Sequence, residues 1–229
     1  MIPLDHEVTK DLNGHALGFY GHELWYLASS VKNRCEAIFT ATQVPESGHY
    51  IKVDAAIHSD IFGVLSQAAG IKKLMLTPSA KSKGESRRAF QLRRFRAHFM
   101  AEFLRPLKLS EVLEAKVRNT IEHFDEYLDE AVIQVSDPAT RPSPWAAYNM
   151  VLSDWGVFNP RVFPVRVYIA AEKVFYNMQW SIDIGKIHVE ASSILDLLRS
   201  TGKFPEDQNP GGLLVMFQGA NNTSGVAGG

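Results

Sequence analysis

Cysteine is scarce in this sequence, which contains a single one, Cys35, among 229 residues. An internal disulfide is therefore impossible, and nothing in the chain calls for an oxidising compartment. The N-terminal residues MIPLDHEVTK lack the basic start and the apolar stretch of a signal peptide, and no apolar run of about 18 residues is present to cross a bilayer. We therefore expect a cytoplasmic protein without a membrane-spanning segment.

An excess of one charge is also absent. The chain has 24 Lys and Arg against 25 Asp and Glu, a formal net charge of −1, which excludes a globally basic nucleic-acid binder but not a local basic patch. The sequence has no G-x-S-x-G nucleophile elbow, no glycine-rich phosphate loop and no His or Cys spacing typical of a metal site. We therefore expect neither a metal ion nor a cofactor.

What the sequence does supply is apolar material for a core, since 45% of its residues are hydrophobic. A chain of this length fits one domain. Apolar residues recur at three- and four-residue steps from Ala16 to Thr40, which predicts a first helix. Capping residues and helix breakers delimit three more predicted helices, from Asp54 to Leu76, from about Glu85 to Leu104 and from Ser110 to about Val135.

Beyond Asp137, prolines become frequent and the helical periodicity is lost. β-branched and aromatic residues in Val165–Ala170 and Val174–Ile184 predict the two strands of a hairpin, and a last helix is predicted over Lys186–Arg199. The fold class that we expect is therefore mainly α, with a helical bundle followed by a small C-terminal β-hairpin and a final helix.

These elements predict a single domain over residues 1–204. The helical bundle occupies about residues 15–136, and the hairpin and last helix occupy about residues 145–200. The remaining residues, 205–229, are rich in Gly and Asn and are predicted to form a mobile tail.

The fourth predicted helix carries a group of residues with chemical potential. Its apolar side chains fall in one narrow sector at about 100° per residue, which predicts that this sector is buried. Arg118, Asn119 and His123 lie outside it. Arginine offers a planar fork for phosphate oxygens, imidazole takes or gives a proton near neutral pH, and an amide can orient either. We predict a metal-free phosphodiester site at these three residues. The predicted buried sector contains Val117, Ile121, Phe124, Leu128, Val132 and Val135.

The same residues also have a purely structural interpretation. Arg118 can pair with Glu122, four residues later, on the solvated face of an amphipathic helix. A five-residue step turns Arg118 and His123 about 140° apart on an ideal helix, so one helix cannot direct both side chains at one atom. A shared catalytic site would need a second copy of the chain, and we therefore expect a homodimer.

The string R-N-T-I-E-H, from Arg118 to His123, resembles the hallmark of the HEPN superfamily, in which Arg and usually a polar residue precede His with four to six residues intervening. The longer string R-N-T-I-E-H-F-D-E-Y-L-D-E is similar to one found in a group of uncharacterised bacterial proteins. The resemblance implies a HEPN-like four-helix up-and-down bundle that binds RNA or a nucleotide. Catalytic members are metal-independent endoribonucleases of defence or stress systems, in which two motifs meet across a homodimer. By this resemblance His123 acts as general acid or base, Arg118 stabilises charge on the phosphorane, and Asn119 positions the substrate.

Negative charge crowds the predicted site. Glu122 and Asp125 are its supporting residues, and further acidic residues follow them along the helix. This charge repels an RNA backbone unless arginines elsewhere offset it. The acidic face could instead bind a basic protein partner, which makes a non-catalytic HEPN-like scaffold the alternative function. A domain that senses a small molecule or nucleotide in a groove between helices is a third possibility.

The third predicted helix is rich in arginine, with phenylalanines between the arginines. These side chains could track phosphates and stack bases. They could also pair with the acidic residues of the same chain or form a solvated face over a core of phenylalanines. The predicted RNA-binding residues are Arg87, Arg88, Arg93, Arg94 and Arg96.

Overall fold

The computed structural model describes residues 14–139, 143–205, 210–212 and 214. These residues form six α-helices and seven short strands. The helices are α1 (Gly14–Ala41), α2 (Ala55–Met75), α3 (Arg87–Leu104), α4 (Lys116–Glu122), α5 (Phe124–Ser136) and α6 (Ile184–Ser200). The strands are β1 (Ile51–Lys52), β2 (Ala146–Tyr148), β3 (Val151–Leu152), β4 (Phe163–Val165), β5 (Val167–Ile169), β6 (Val174–Asn177) and β7 (Trp180–Asp183).

Five of the strands form one mixed sheet in the order β1-β3-β5-β6-β7. Strands β3 and β5 are parallel, whereas the other neighbouring pairs are antiparallel. The remaining two strands, β2 and β4, pair in parallel as a separate small sheet. Since the partners β1 and β3 lie about a hundred residues apart in sequence, the sheet depends on non-local pairing.

The main hydrophobic core lies between the five-stranded sheet and a layer of helices. Helix α1 packs on both α2 and α6, and α3 packs on α2. On the sheet side, Tyr168 and Phe175 are fully buried in this core, whereas the neighbouring Val167 and Ile169 belong to a second cluster. This alternation follows from the period of two in a strand, which sends successive side chains to opposite faces.

The other side of the sheet is covered by the chain between β2 and β4. Ala147 and Val162 are buried against Leu152 and the outward side chains of β5 in the second cluster. Helix α5 forms a third cluster, in which Ala131 packs with Phe163 and other side chains of the small sheet and the β6–β7 turn. The helix that follows the Arg118–His123 string is thereby attached to the C-terminal part of the chain.

The expected mainly α fold, a four-helix up-and-down bundle with a small hairpin, is wrong, because the described chain is mixed α/β. The predicted hairpin is present in part, as β5 and β6, and it belongs to a larger sheet. Its second predicted strand, Val174–Ile184, is divided by a turn into β6 and β7. Strands of two or three residues, such as β1 and β3, are too short to display the alternation that identifies a strand in sequence. Strands β2 and β4 have three residues each and lie in or at the edge of the proline-rich residues 138–164, so the sequence pattern does not predict them either.

The predicted fourth helix is also different. Ser110 does not cap it, because the Ser110 N–H and hydroxyl both donate to the buried Glu190 carboxylate at 2.9 Å. The helix begins at Lys116 and is interrupted at His123, where φ is −112° and ψ is 44°. Of the predicted buried sector in α5, Phe124, Leu128 and Val135 are partly buried against the third cluster, whereas Val132 is 51% exposed. The prediction of burial therefore fails at Val132.

The remaining helices follow the predicted order. Helices α1, α2, α3 and α6 begin and end within about two residues of the predicted positions. No helix in the described ranges is long and apolar enough to cross a membrane. The predicted mobile tail, 205–229, lies outside the described residues except at positions 205, 210–212 and 214.

Candidate functional site

His123 lies at the junction between α4 and α5. Its N–H donates to the Asn119 carbonyl at 2.9 Å, and its own carbonyl accepts from the Tyr127 N–H at 3.2 Å. The imidazole is 60% exposed, and its Nδ1 lies 4.0 Å from a carboxylate oxygen of Glu126. His123 is therefore accessible to a ligand, and the charged group that contacts its ring is the carboxylate of Glu126.

Arg118 is engaged by its neighbours in the motif. Its Nε lies 3.5 Å from Oε1 of Glu122, an ion-pair contact without hydrogen-bond geometry, and its Nη2 donates to Oδ1 of Asn119 at 3.2 Å. The structural interpretation of Arg118, pairing with Glu122 on one helix, is thus realised. No hydrogen bond or ion pair joins Arg118 to His123 within the described part of the chain. The supporting residue Asp125 is exposed in the first turn of α5.

The arginine cluster of α3 is separate from the motif. Helix α3 packs on α2, and α4, which also contacts α2, contacts β6 and β7. Arg93 is bound to Glu85 by two hydrogen bonds of 2.9 Å, and it also donates to the Thr77 hydroxyl. Arg96 donates to the Lys73 carbonyl at 3.1 Å. Of the other predicted RNA-binding residues, Arg87 and Arg88 are exposed, and the guanidinium of Arg94 lies 5.6 Å from the centre of the Phe90 ring.

The buried member of the motif is Thr120, which connects it to the sheet. The Thr120 hydroxyl donates to the Val117 carbonyl at 2.6 Å and accepts from Nδ2 of Asn177 at 2.8 Å. Asn177 is fully buried at the end of β6, and its Oδ1 accepts from the backbone N–H of Arg166 at 3.2 Å. A single buried amide therefore links the motif helix to Arg166.

Arg166 lines a cavity of about 340 Å³ at the N-terminal end of α2. The wall combines a cation, a carboxylate, an amide, a hydroxyl and the ring of Phe62. A cavity of this size is at the small end of ligand pockets, which span about 300–1,000 Å³. The lining residues are Val53, Asp54, Ala55, His58, Ser59, Phe62, Asn149 and Arg166.

The guanidinium of Arg166 is held between two aromatic rings. Its central carbon lies 3.4 Å from the centre of the Phe124 ring and 5.3 Å from that of Phe62. Its Nε is buried and has no hydrogen-bond partner among the described residues. Burial lowers the pKa of Arg166, an effect that the nearby Tyr148 phenol opposes. The side chain is a partly desolvated cation whose position is set by stacking rather than by an acid.

The backbone around the cavity is unusual at two positions. Arg166 and Asn149 have φ values of 54°, in the left-handed region that residues other than glycine rarely adopt. Asparagine tolerates this region, but for arginine it costs about 1 kcal/mol or more. Such backbone is concentrated at ligand sites, where the surrounding structure holds it in place.

His58 supplies part of that support. It is 6% exposed, and its Nε2 lies 2.8 Å from the Arg166 carbonyl oxygen while its Nδ1 lies 3.1 Å from the Asp54 carbonyl oxygen. Both partners are backbone carbonyl oxygens, which accept a hydrogen bond from a ring N–H. Since both nitrogens are engaged, His58 is placed to fix Arg166 rather than to exchange protons with a ligand.

Sequence reasoning did not find Arg166, His58 or Asn149 as site residues. One signal was present for Arg166, because it is a single charge within the apolar string FPVRVYIAA. A charged residue in a strand that is buried on both faces needs a compensating partner, so it is a candidate binding residue. His58 and Asn149 reach the cavity only through tertiary structure, and their local sequence gives no comparable indication.

Among the residues that the structure describes, no group of three or more His, Cys, Asp or Glu side chains is placed to hold a metal ion. Comparisons with protein-family models, curated proteins and solved structures found no match to this chain. Membership of the HEPN superfamily therefore stays a prediction from the Arg118–His123 string.

Proposed function

We propose that this protein binds a small phosphate-bearing ligand, of mononucleotide size, in the Arg166 cavity. The observation that carries the proposal is the state of Arg166: a partly buried guanidinium in a cavity wall, placed against the Phe124 ring and without an ion pair to an acid in the described chain. Buried charges are normally paired or hydrogen-bonded, because removing them from water is costly. An anionic ligand in the cavity would supply the missing partner.

Phosphate is the anion that suits this arrangement best. The guanidinium fork matches two phosphate oxygens, and the contact with the Phe124 ring restricts the orientation in which it can bind them. The cavity also adjoins the N-terminus of α2, where the helix dipole favours negative charge. The Ala56 N–H there already bonds to the Asp54 side chain at 2.8 Å, so Arg166 supplies most of the attraction.

The rest of the wall argues for a nucleotide rather than a bare phosphate ion. The Asp54 carboxylate in the same cavity repels a second negative charge but accepts hydrogen bonds from sugar hydroxyls or a base amino group. The Phe62 ring and the adjoining apolar side chains suit the flat face of a base. We therefore assign a nucleoside monophosphate as the class of ligand.

The test is isothermal titration calorimetry of the purified chain with the four common nucleoside monophosphates, inorganic phosphate and an amino acid as a zwitterion. In Arg166→Met, which keeps an unbranched stem against Phe124, we expect affinity to fall roughly ten- to a hundredfold, the equivalent of about 1.5–3 kcal/mol for a charged hydrogen bond. Arg161→Met is the matched control, because Arg161 stacks on Trp155 with 58% of its side chain exposed. Equal binding by the Arg166 and Arg161 variants, or binding of the amino acid alone, contradicts the proposal.

RNA cleavage without a metal is the second candidate, favoured by the exposure of His123 at a break in the helix. The break removes the ideal-helix restriction on where His123 points, and a second copy of the chain would supply the other half of a shared site.

The assay for this candidate is cleavage of mixed RNA in the presence of EDTA. We expect activity in the wild type and its loss in Arg118→Ala and His123→Ala, with His49→Ala as the control on an exposed histidine outside the motif. Cleavage that persists in His123→Ala, or that EDTA abolishes in the wild type, rules the mechanism out. Nucleotide binding at Arg166 is independent of this result.

A further inference from the structure

The outer face of α5 is acidic in its first half and apolar in its second. Asp125, Glu126, Asp129 and Glu130 are all exposed, and the helix contains no Lys or Arg. Within the described residues, Glu126 is the one carboxylate of this set with an ion-pair contact, to His123. One turn further on, the exposed side chains are Val132, at 51%, and Ile133, at 72%. We call this the α5 face.

Helix α3 presents the opposite charge in the same order. Arg87 is exposed near its beginning, and Arg94 and His98 follow at steps of seven and four residues, which place the three on one side of the helix. Next to them, Phe99 is 37% exposed and stacks on Phe95 with 6.2 Å between ring centres. These five residues form what we call the α3 face.

The two faces belong to different parts of one molecule. Helix α3 packs on α2, whereas α5 packs against the small sheet and the β6–β7 turn. Within the described residues, no ion pair joins the acidic side chains of the α5 face to the arginine cluster of α3, whose Arg93 is bound to Glu85. The two faces are therefore complementary in charge and are not paired with each other within the described part of one chain.

We propose that the α5 face binds the α3 face of a second copy of the chain. Charge meets opposite charge, and Val132 and Ile133 meet the stacked pair of phenylalanines. Arg87 and Arg94 come before Phe99 along α3, and Asp125 and Asp129 come before Val132 and Ile133 along α5, so both conditions are met when the two helices run parallel. Glu102, exposed one turn after His98 on the same side of α3, is paired with Arg105 of its own chain at 3.0 Å. The contact then joins two different surfaces, the α5 face of one copy and the α3 face of the other.

The spacing along the helices agrees with this register. At about 1.5 Å per residue, Arg94 precedes Phe99 by about 7.5 Å and Asp129 precedes Ile133 by about 6 Å. With Arg94 opposite Asp129, Phe99 therefore lies opposite Ile133. Arg87 lies about 10.5 Å before Arg94 and Asp125 lies about 6 Å before Asp129, so the Arg87 backbone is offset from Asp125 by about 4.5 Å, a distance that the long arginine side chain can span.

Charge reversal with mutual rescue tests the proposal, with association followed by analytical ultracentrifugation. Arg87→Glu with Arg94→Glu, or Asp125→Lys with Asp129→Lys, is expected to weaken self-association by roughly tenfold or more, since like charges then face each other. Mixing the two variants is expected to restore association, because the acidic α3 of one fits the basic α5 of the other. Glu46→Lys, an exposed loop reversal, is the control. Added salt is expected to weaken the wild-type contact.

A cross-link tests the parallel register separately. Mixing a Phe99→Cys chain with an Ile133→Cys chain is expected to give a mixed disulfide, whereas Arg87→Cys with Ile133→Cys is not. Cys35 does not interfere, because it is fully buried and burial, with Glu36, raises the pKa of its thiol to about 12. A wild-type chain that stays monomeric at its highest soluble concentration overturns the proposal. Association that neither reversal weakens, or that the mixture does not restore, overturns it too.

Discussion

Asn177 offers the most direct test of how the motif helix and the cavity are joined. Its side chain is fully buried and makes two hydrogen bonds, to the Thr120 hydroxyl at 2.8 Å and from the Arg166 N–H at 3.2 Å. In Asn177→Ala both bonds are lost and two buried polar groups are left without these partners. We expect a destabilisation of about 2–4 kcal/mol, because an unsatisfied buried group costs about 1–3 kcal/mol.

Urea denaturation, followed by tryptophan fluorescence, measures this change. In a chain of this size about 1 kcal/mol moves the melting temperature by roughly 2–4 °C, so thermal unfolding should shift by about 4–16 °C. Thr120→Val removes one of the two bonds and is expected to cost less, about 1 kcal/mol. The same variants should weaken ligand binding at Arg166 in the same order. An Asn177→Ala chain within about 0.5 kcal/mol of the wild type would refute the reasoning.

Two further predictions concern acidic residues outside the cavity. Glu190 is 7% exposed and its carboxylate accepts from the Ser110 N–H and hydroxyl and from the N–H groups of Glu111 and Val112, at 2.9–3.2 Å. In Glu190→Gln the side-chain amide places an N–H donor opposite these backbone donors. We expect the free energy of unfolding, measured by urea denaturation, to fall by about 2–3 kcal/mol. An equal fall in the exposed Glu46→Gln would contradict this explanation. For Glu85, the hydrogen bonds from Arg93 and from the Ser82 N–H lower its pKa from 4.5 to about 2. Because the folded pKa is depressed, the stability that Glu85 contributes is complete above pH 4.5 and is lost as the pH falls towards about 2. Melting temperatures recorded across this range should decline less steeply in Glu85→Gln, and identical slopes would show that the pair is not formed in solution.

The parts of the fold that the sequence predicts are those that local interactions determine. Asp54 and Ser86 cap α2 and α3 through bonds to N–H groups two and three residues later, at 2.8 and 3.1 Å. Such caps are visible in a sequence because donor and acceptor are close along the chain. Ser110 has the same chemistry, but its bonds go to Glu190, eighty residues away. The prediction of a cap there failed because a tertiary partner replaced the local one.

The site shows the same division. The location of Arg118, Asn119 and His123 off the apolar side of a helix could be inferred from periodicity, and so could the pairing of Arg118 with Glu122. The interruption at His123 could not, since nothing in residues 116–136 is a helix breaker. Arg166 comes beside Phe124 only because β4, β5 and α5 meet in space. Residue spacing within one segment cannot predict a contact that forms only when three separate segments come together.

Thr120, Asn177 and Arg166 place the two candidate functions in a single connected structure, and this separates their experimental outcomes. If nucleotide binding falls in Arg166→Met but is unchanged in His123→Ala, the cavity acts alone and the motif helix supports it through Thr120. If RNA cleavage falls in His123→Ala and also in Asn177→Ala while folding is retained, the position of the motif depends on the same amide. Phe124 also links the two sites, because it is the first residue of α5, directly after His123, and the centre of its ring lies 3.4 Å from the central carbon of the Arg166 guanidinium. A ligand bound to this guanidinium is therefore one side chain away from the start of α5, and His123 comes directly before it in the chain.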